Sequence, residues 1–193
     1  MRPFSDPVVY TDEDFARLLA DDPYSLVARV ARGISRIASD PAGARRDLDV
    51  ALEQVPHHAQ AHYGVALLCR RSDPDQALHH LDQALATDPN LTDAVQLRAL
   101  VRARKGDPAA LDDVERLLRS PTPYRLYNAA CAVAVYSERA RQSRLASHAL
   151  ELLARAVDAG FPRSEAAGDP DLKSLHAYAK FSEIIAETHK PHQ

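Results

Sequence analysis

Histidine is the residue type whose spacing in this chain could most readily do chemistry. Five of the nine histidines lie close together in the sequence: His57, His58, His62, His79 and His80. Two of them, His58 and His62, are one helical turn apart, so they could face a common ligand. A zinc site needs three or four converging ligands, and neither a nearby Cys pair nor a His-Glu-x-x-His spacing supports one. Solvent-exposed histidines are the simpler interpretation, so we expect no cofactor and keep a metal or small-ligand site as an alternative.

Other kinds of catalytic site find little support in the sequence. The chain has only 6 glycines and lacks a Gly-rich phosphate loop, a nucleophile elbow and a kinase motif. Cys69 and Cys131 cannot form a disulfide framework and are expected to be small buried residues. Asp112 and Asp113 are adjacent, so on a helix they would point in different directions. We therefore predict a protein without enzymatic activity.

Charge and hydropathy argue against two further classes of protein. The 193 residues include 24 basic and 27 acidic side chains, whereas a protein that binds nucleic-acid backbones usually has a basic excess. The longest apolar run, residues 129–136, is far shorter than the roughly 20 residues of a membrane-spanning helix. Acidic residues, rather than an apolar signal core, follow the first residues. We therefore expect a cytoplasmic protein that binds neither nucleic acid nor membranes.

The elements that would position these residues are helices. Alanine and leucine dominate the composition, and runs of alternating β-branched residues are missing. An Asp-Pro dipeptide favours a helix start, because the carboxylate caps free amides and proline at the first position loses no hydrogen bond. Six of the seven such dipeptides in the chain are predicted to start helices, those that begin at Asp22, Asp40, Asp73, Asp88, Asp107 and Asp169. The sequence therefore predicts an all-α protein with many short helices.

The regular spacing of four prolines indicates an internal repeat. Pro23, Pro56, Pro89 and Pro121 recur with a period of about 33 residues. Each period contains two apolar stripes of helical spacing, separated by a short polar break such as residues 71–73. A period of this length predicts stacked pairs of helices.

This pattern resembles the tetratricopeptide repeat family. The resemblance depends on small residues at close helix crossings, large apolar residues four positions later and closing prolines. These are Ala44, Ala77 and Ala110, then Leu48, Leu81 and Val114, then Pro56, Pro89 and Pro121. The repeats are one or two residues shorter than the usual length of about 34. The resemblance implies an all-α fold, a right-handed superhelix of antiparallel helix pairs with capping helices.

The resemblance also implies how the chain is organised. We expect an N-terminal segment and capping helix in residues 1–22, about four helix pairs in 23–161, and C-terminal capping helices with a short tail in 162–193. Because no linker interrupts this range, we expect one domain. The fourth unit is similar to the terminal unit of bacterial tetratricopeptide arrays, which often lie beside serine/threonine kinase domains.

In this family the first helix of each pair lines a concave groove, and the resemblance implies that a peptide or protein segment binds there. The matching positions are Arg29 and Arg36, then His62, Tyr63 and Arg70, then Val95, Gln96 and Arg102, and finally Tyr127 and Asn128. Arginines suit an acidic partner, because guanidinium groups pair with carboxylates in bidentate fashion. Charge reversal at Arg29, Arg36 and Arg102 is expected to weaken binding while thermal stability stays nearly constant.

The function predicted from the sequence is therefore that of a protein-interaction adaptor. Ordinary solvated arginines would explain the same positions without a partner. A self-associating structural scaffold, which would form a homo-oligomer through its end helices, is the first alternative. A metal or small-ligand site at the histidines is the second.

Overall fold

The computed structural model describes residues 11–186 of the chain. Within this range there are eleven α-helices and one 3₁₀ helix, and no strand. The predicted all-α fold class is confirmed. The helices fall into two compact units that divide between Pro89 and Asn90. Residues 1–10 and 187–193, which include part of the predicted N-terminal segment and of the predicted tail, lie outside the described residues. The predicted domain limits stay a prediction.

The N-terminal unit contains five described helices. Within this unit, each helix packs against the one that follows it. The helices are α1 (Asp12–Asp21), α2 (Leu26–Ser35), α3 (Pro41–Gln54), α4 (Ala59–Cys69) and α5 (Pro74–Thr87). Helix α1 contacts α2 and buries Phe15, as expected of a helix that covers the end of a stack.

The C-terminal unit is built around α8. This helix packs against α6, α7, α9 and the 3₁₀ helix, while α11 packs against α9 and α10. The elements are α6 (Thr92–Lys105), α7 (Ala110–Leu118), α8 (Pro123–Arg139), α9 (Arg144–Asp158), α10 (Arg163–Ala167), the 3₁₀ helix (Pro170–Leu175) and α11 (Ala179–Ile185). Residues 129–134 of α8 are all buried, so small alanines let the neighbouring helices approach it closely.

The positions that carried the repeat pattern are buried. The small residues Ala44, Ala77 and Ala110 are fully buried. The large residues four positions later are at most 3% exposed: Leu48, Leu81 and Val114. Burial of a leucine-sized side chain contributes about 1.5–3 kcal/mol, so these positions hold each helix pair together.

The surroundings of Leu48 show how closely α2 and α4 approach α3. A Cβ added at Gly33 of α2 would lie 2.9 Å from Leu48, and one added at Gly64 of α4 would lie 2.8 Å from it. Any larger residue at either glycine would therefore collide with Leu48. The two glycines fix the distance between α3 and its two neighbours.

Of the six Asp-Pro dipeptides predicted to start helices, three do begin one. The carboxylates of Asp40 and Asp73 accept hydrogen bonds of 2.9 Å from the N–H groups of Gly43 and Gln76, and α3 and α5 start at the following prolines. Asp169 caps the 3₁₀ helix in the same way. The caps at Asp40 and Asp73 therefore fix the first turns of α3 and α5.

The prediction is wrong for the other three dipeptides. Asp22 and Asp88 end α1 and α5, because the N–H of each donates to a carbonyl in the last turn of the preceding helix. Asp107 accepts a hydrogen bond from the N–H of Ala109, and α7 begins only at the next residue. The same dipeptide can therefore close a helix or start one, depending on which free backbone groups lie nearest.

Candidate functional site: charged clusters between paired helices

We call α2, α4, α6 and α8 the first helices, and α3, α5, α7 and α9 the second helices, of four helix pairs. Helix α2 carries Arg29 and Arg32, and Arg36 is the residue that caps its C-terminal end. The three arginines share one face because they are three and four residues apart. All three converge on Asp47 of α3, which is only 5% exposed. We call these four residues the α2 arginine cluster.

Asp47 is held by its arginines in an unequal way. Arg32 donates from Nε and Nη2 to the two carboxylate oxygens at 2.7 and 2.5 Å. The Nη1 atoms of Arg29 and Arg36 lie 3.9 and 3.8 Å from the same carboxylate. A buried carboxylate needs such partners, because an uncompensated charge in the interior is costly. Arg32 is therefore the structural partner, and the other two arginines are held by weaker attraction.

The α2 arginine cluster keeps an excess of positive charge. Its three guanidinium groups share buried Asp47, and within ion-pair distance one further carboxylate, that of exposed Asp12, accepts from Arg36 Nε at 2.9 Å. Asp40 attracts Arg36 from farther away and forms no ion pair with it among the described residues. Arg29 donates from Nη2 to the carbonyl of Pro23 at 2.6 Å, and its buried Nε has no hydrogen-bond partner among the described residues. The side chains of Arg29 and Arg36 are 18% and 22% exposed. A further carboxylate could therefore reach them from solvent.

An equivalent cluster joins α6 to α7. Asp113, which is 2% exposed, accepts from Arg98 Nε at 3.0 Å and from Nη2 at 2.6 Å. Arg102 Nη1 donates to the same carboxylate at 2.8 Å, and its Nε lies 3.9 Å from Asp107. Arg98 and Arg102 precede Asp113 by the same separations in sequence that place Arg32 and Arg36 before Asp47. Here two guanidinium groups meet two carboxylates, so no excess charge is left.

The second helix pair has histidines at the matching positions. His80 of α5 lies one repeat period after Asp47, and His62 of α4 lies one repeat period after Arg29. Their Nδ1 atoms are 2.9 Å apart, and His62 Nε2 lies 2.9 Å from the carbonyl oxygen of Pro56. Because a carbonyl only accepts, His62 Nε2 carries the proton and His62 Nδ1 accepts from His80 Nδ1–H. A neutral hydrogen-bonded pair thus replaces the ion cluster.

The surroundings of this pair disfavour a positive charge on either ring. Burial, together with the neighbouring rings of His62 and His79, lowers the pKa of His80 to about 4. Burial also lowers the pKa of His62, against the hydrogen bond to Pro56 that would raise it. His57 and His79 are exposed, as the simpler interpretation of the sequence required, but His62 is 8% exposed and does not fit it. Among residues 11–186, no three His, Cys, Asp or Glu side chains come together in a way that could hold a metal ion.

The remaining predicted contact residues of α4 are half-buried. Arg70 donates from Nη1 to the carbonyl of Leu67, one turn earlier on its own helix. Tyr63 is also half-buried. The structure leaves part of both side chains at the surface.

In the C-terminal unit, two of the predicted contact residues are hydrogen-bonded to each other and two others are buried. Asn128 Nδ2 donates to Gln96 Oε1 at 2.8 Å, which links α8 to α6. Val95 is 3% exposed and Tyr127 is 9% exposed. The Tyr127 hydroxyl donates to the carboxylate of Asp169. Val95 and Tyr127 therefore have little surface for a partner, whereas Gln96 and Asn128 are half-buried and reachable.

Both cysteines are buried thiols, as predicted. Burial raises the pKa of Cys131, and the carboxylate of Asp169 raises it further. Burial also raises the pKa of Cys69. Since the thiolate is the reactive form, neither side chain has the properties of a nucleophile.

Arg32, Arg98, Asp47 and Asp113 were not among the contact residues predicted from the sequence. The signal that could have revealed them is a constant separation between an arginine on a first helix and an aspartate on the second, which both clusters share. These contacts also change one expectation. Reversing the charge of Arg29, Arg36 and Arg102 would place carboxylates beside buried Asp47 and Asp113, so we expect it to lower stability instead of leaving stability nearly constant.

No protein-family model matches the chain, and no curated protein matches it. Among solved structures, the chain is similar to a tetratricopeptide repeat protein from Parabacteroides merdae ATCC 43184. The two have a TM-score of 0.61 at 19% sequence identity, and the match covers 90% of this chain. The chain spans 62% of the length of that structure. The predicted tetratricopeptide repeat fold is therefore confirmed.

Proposed function

We propose that this protein is a non-enzymatic interaction adaptor whose first helices bind a peptide or protein segment with acidic side chains. The observation that carries the proposal is the α2 arginine cluster, in which three guanidinium groups share a single buried carboxylate. Such a cluster attracts a further carboxylate because its positive charge exceeds its negative charge. The tetratricopeptide repeat fold supports an interaction role in general, and the cytoplasmic location stays a prediction.

The cluster is suited to binding because its arginines are held in place before a partner arrives. Asp47 orients the cluster through Arg32, and Pro23 and Asp12 fix the outer ends of Arg29 and Arg36. A partner that meets ordered side chains loses less conformational entropy on binding than one that must order them. A charge-assisted bidentate pair with a carboxylate would then supply affinity and orientation together.

The other predicted contact residues belong to the same proposal. His62, Tyr63 and Arg70 are the further candidates in the N-terminal unit, and Gln96, Arg102 and Asn128 are those in the C-terminal unit. Val95 and Tyr127 are weaker candidates, since each is almost completely buried. The expectation of a concave groove lined by the first helices stays a prediction.

The test is a binding titration with labelled peptides of equal length that differ only in how many glutamines are replaced by glutamates. We expect affinity to rise with the number of glutamates and to fall about tenfold in the double variant Arg29→Gln/Arg36→Gln. This variant keeps Arg32, so Asp47 retains its bidentate partner and the unit stays folded. Fluorescence anisotropy measures the affinity, and circular dichroism verifies the fold.

The matched control is Arg45→Gln/Arg46→Gln on α3, which removes the same charge from the same unit. Both control arginines are exposed, and Arg45 pairs with Asp49 one turn away. Equal loss of affinity in the two double variants would mean that net charge, not the cluster, attracts the peptide. That result would remove the α2 arginine cluster as the binding surface.

A self-associating scaffold is the second candidate, and one observation favours it. Large apolar side chains are exposed around the turn between α1 and α2, with Leu18 at 44%, Tyr24 at 81% and Val27 at 77%. Exposed apolar groups of this size are typical of contact surfaces. Sedimentation of wild type and of Tyr24→Ser/Val27→Ser tests it, since a scaffold built on this surface would be an oligomer only in the wild type.

A further inference from the structure

A second basic site lies in the C-terminal unit, where α6 and α8 end. A cleft of about 540 Å³ there is lined by three arginines, Arg104, Arg139 and Arg141, together with Val135 and Glu138. We call it the arginine cleft. None of its residues appeared among the contact positions implied by the family resemblance.

Two of the arginines are anchored by the fold. Arg104 Nη2 lies 2.9 Å from both carboxylate oxygens of Asp171 on the 3₁₀ helix, so its charge is compensated. Arg139 Nε donates to the carbonyl of Arg104 at 2.9 Å. Among residues 11–186, neither Arg139 nor Arg141 pairs with a carboxylate. These two charges outnumber the single Glu138 in the lining, and the cleft is therefore positive.

Arg141 has a backbone conformation that its residue type disfavours. Its φ is 54°, and it is the only non-glycine residue with positive φ in the described part of the chain. Helices α6 and α9 end in the same way, but there Gly106 and Gly160 hold the positive φ, at 73° and 103°. At the end of each of these three helices, a backbone N–H donates to the carbonyl oxygen five residues earlier. This C-terminal motif requires a residue with positive φ, which is usually glycine. Arginine is therefore less stable than glycine at this position. Its side chain places a guanidinium group at the cleft.

Arg141 also lines a second cleft of about 310 Å³, which shares Glu138 with the first. This cleft is lined by Ser137, Ser143, Ser174 and Tyr178 as well. The Ser174 hydroxyl is buried there without a hydrogen-bond partner among the described residues. A buried hydroxyl without a hydrogen-bond partner destabilises the folded protein, and a bound polar group would remove that cost.

We propose that the two joined clefts bind an acidic segment of a partner protein. A carboxylate of the segment would pair with Arg139 and Arg141, and a neighbouring polar group would bond to the Ser174 hydroxyl. Charge complementarity selects an acidic segment, and the small polar lining of the second cleft suits an extended peptide. The strained Arg141 and the unpartnered Ser174 are independent observations that point to the same ligand.

This site is separate from the surfaces described above. Arg139 lies three turns of α8 beyond Asn128, which is about 16 Å along the helix axis. The α2 arginine cluster belongs to the N-terminal unit. Binding at the clefts can therefore be measured in a full-length chain whose α2 arginine cluster is disabled by Arg29→Gln/Arg36→Gln.

The experiment uses this double variant and a fluorescein-labelled glutamate-rich peptide, with its all-glutamine counterpart as the reference probe. We expect binding of the glutamate peptide to weaken about tenfold in Arg141→Gln and in Arg141→Gly, and to be largely retained in Arg141→Lys. Ser174→Ala should weaken it less. The Arg155→Gln control removes one exposed charge from α9 of the same unit and should leave affinity unchanged.

A stability measurement accompanies each titration. Arg141→Gly should raise the melting temperature by roughly 2–4 °C because it relieves the positive φ, whereas Arg141→Gln should leave it nearly unchanged. Loss of affinity together with a gain in stability means that arginine is present at this position for binding. Unchanged peptide affinity in Arg141→Gly would overturn the proposal.

The remaining outcomes separate this site from the proposed function. If wild type binds the peptide but the Arg29→Gln/Arg36→Gln background does not, the clefts are not a site and the α2 arginine cluster is. If that background binds as wild type does and Arg141→Gly abolishes binding, the clefts are the site and the α2 arginine cluster is not. A single-stranded DNA of equal charge that binds as tightly as the peptide would overturn the assignment to an acidic protein segment.

Discussion

The first and second helix pairs differ in the polar groups that connect their two helices. In the first pair, a buried carboxylate on α3, Asp47, meets arginines on α2. In the second pair the matching position on α5 is His80, which meets His62 on α4 in a neutral hydrogen bond. The third pair returns to the first solution, with Asp113 and its arginines.

The position of Asp47, His80 and Asp113 on the second helices therefore needs a polar partner on the first helix, but it does not need a charge. Where Asp47 is replaced by His80, Arg29 is replaced by His62 and Arg32 by Val65. An arginine left opposite a histidine would be a buried charge without a counter-ion, which costs several kcal/mol. The groups on the two helices differ together, so each pair satisfies its own buried polar atoms. The histidine solution carries no charge at neutral pH, but it responds to acid.

The largest expected effect comes from removing a buried carboxylate. Asp113→Ala leaves Arg98 and Arg102 half-buried beside each other with little compensation, and we expect it to lower the free energy of unfolding by about 3–5 kcal/mol. Urea denaturation followed by circular dichroism measures the change. The neighbouring Asp112→Ala is the control, because Asp112 is exposed on the same turn, and its effect should be about 0.5 kcal/mol or less. Equal losses in the two variants would contradict a special role for the ion cluster.

A smaller effect is expected from acid, and it should come from the second helix pair. The pKa of His80 is about 4 in the folded protein and about 6.5 in an unfolded chain. Between these values the unfolded chain binds a proton that the folded chain does not, so stability falls as pH drops from about 6.5 toward 4. Because His80 is partly accessible to solvent, we expect a loss on the order of 2 kcal/mol, to which His62 adds in the same direction.

Urea titrations at a series of pH values across this window test the acid response. The double variant His62→Gln/His80→Gln should lose most of the slope, because glutamine keeps a hydrogen bond and does not titrate. His148→Gln is the control, since His148 is exposed on α9. A double variant with the wild-type slope would place the acid response outside this pair.

The smallest expected effect belongs to the outer edge of the α2 arginine cluster. Arg36→Gln removes the 2.9 Å bond to exposed Asp12 and the distant contact with Asp47, but it leaves Arg32 in place. We expect the free energy of unfolding to fall by about 1 kcal/mol or less, and by still less in high salt. Thermal unfolding at low and high ionic strength measures this. A loss comparable to that of Asp113→Ala would mean that Arg36 is as structural as Arg32.

The repeat period allowed the fold to be predicted from the sequence alone. Regularly spaced prolines, with Ala44 and Leu48 and their counterparts, are enough to predict helix pairs, because helix packing needs small and large residues at fixed separations. Helix boundaries were less predictable. Asp88-Pro89 ends one helix and Asp73-Pro74 begins another, and only the tertiary arrangement decides which backbone groups need a cap.

The candidate site was predictable in part. The sequence identified Arg29, Arg36 and Arg102, but not their carboxylates, because the resemblance points only to positions on first helices. It placed Tyr127 on the binding surface, whereas the ring stacks on Phe161 with centroids 3.8 Å apart and is buried. Arg141 could not be identified from the sequence, since nothing in the residues around it indicates a positive φ.

The ion clusters have a consequence for how such a chain can be inherited. Both halves of the first cluster lie between residues 29 and 47, and both halves of the third lie between residues 98 and 113. A gene duplication or deletion that moves one whole helix pair therefore carries its counter-ion with it and leaves no orphaned charge behind. A crossover inside a pair would join an arginine helix to a histidine helix. We therefore expect a chain that is recombined at a junction between pairs to stay folded more readily than one that is recombined within a pair.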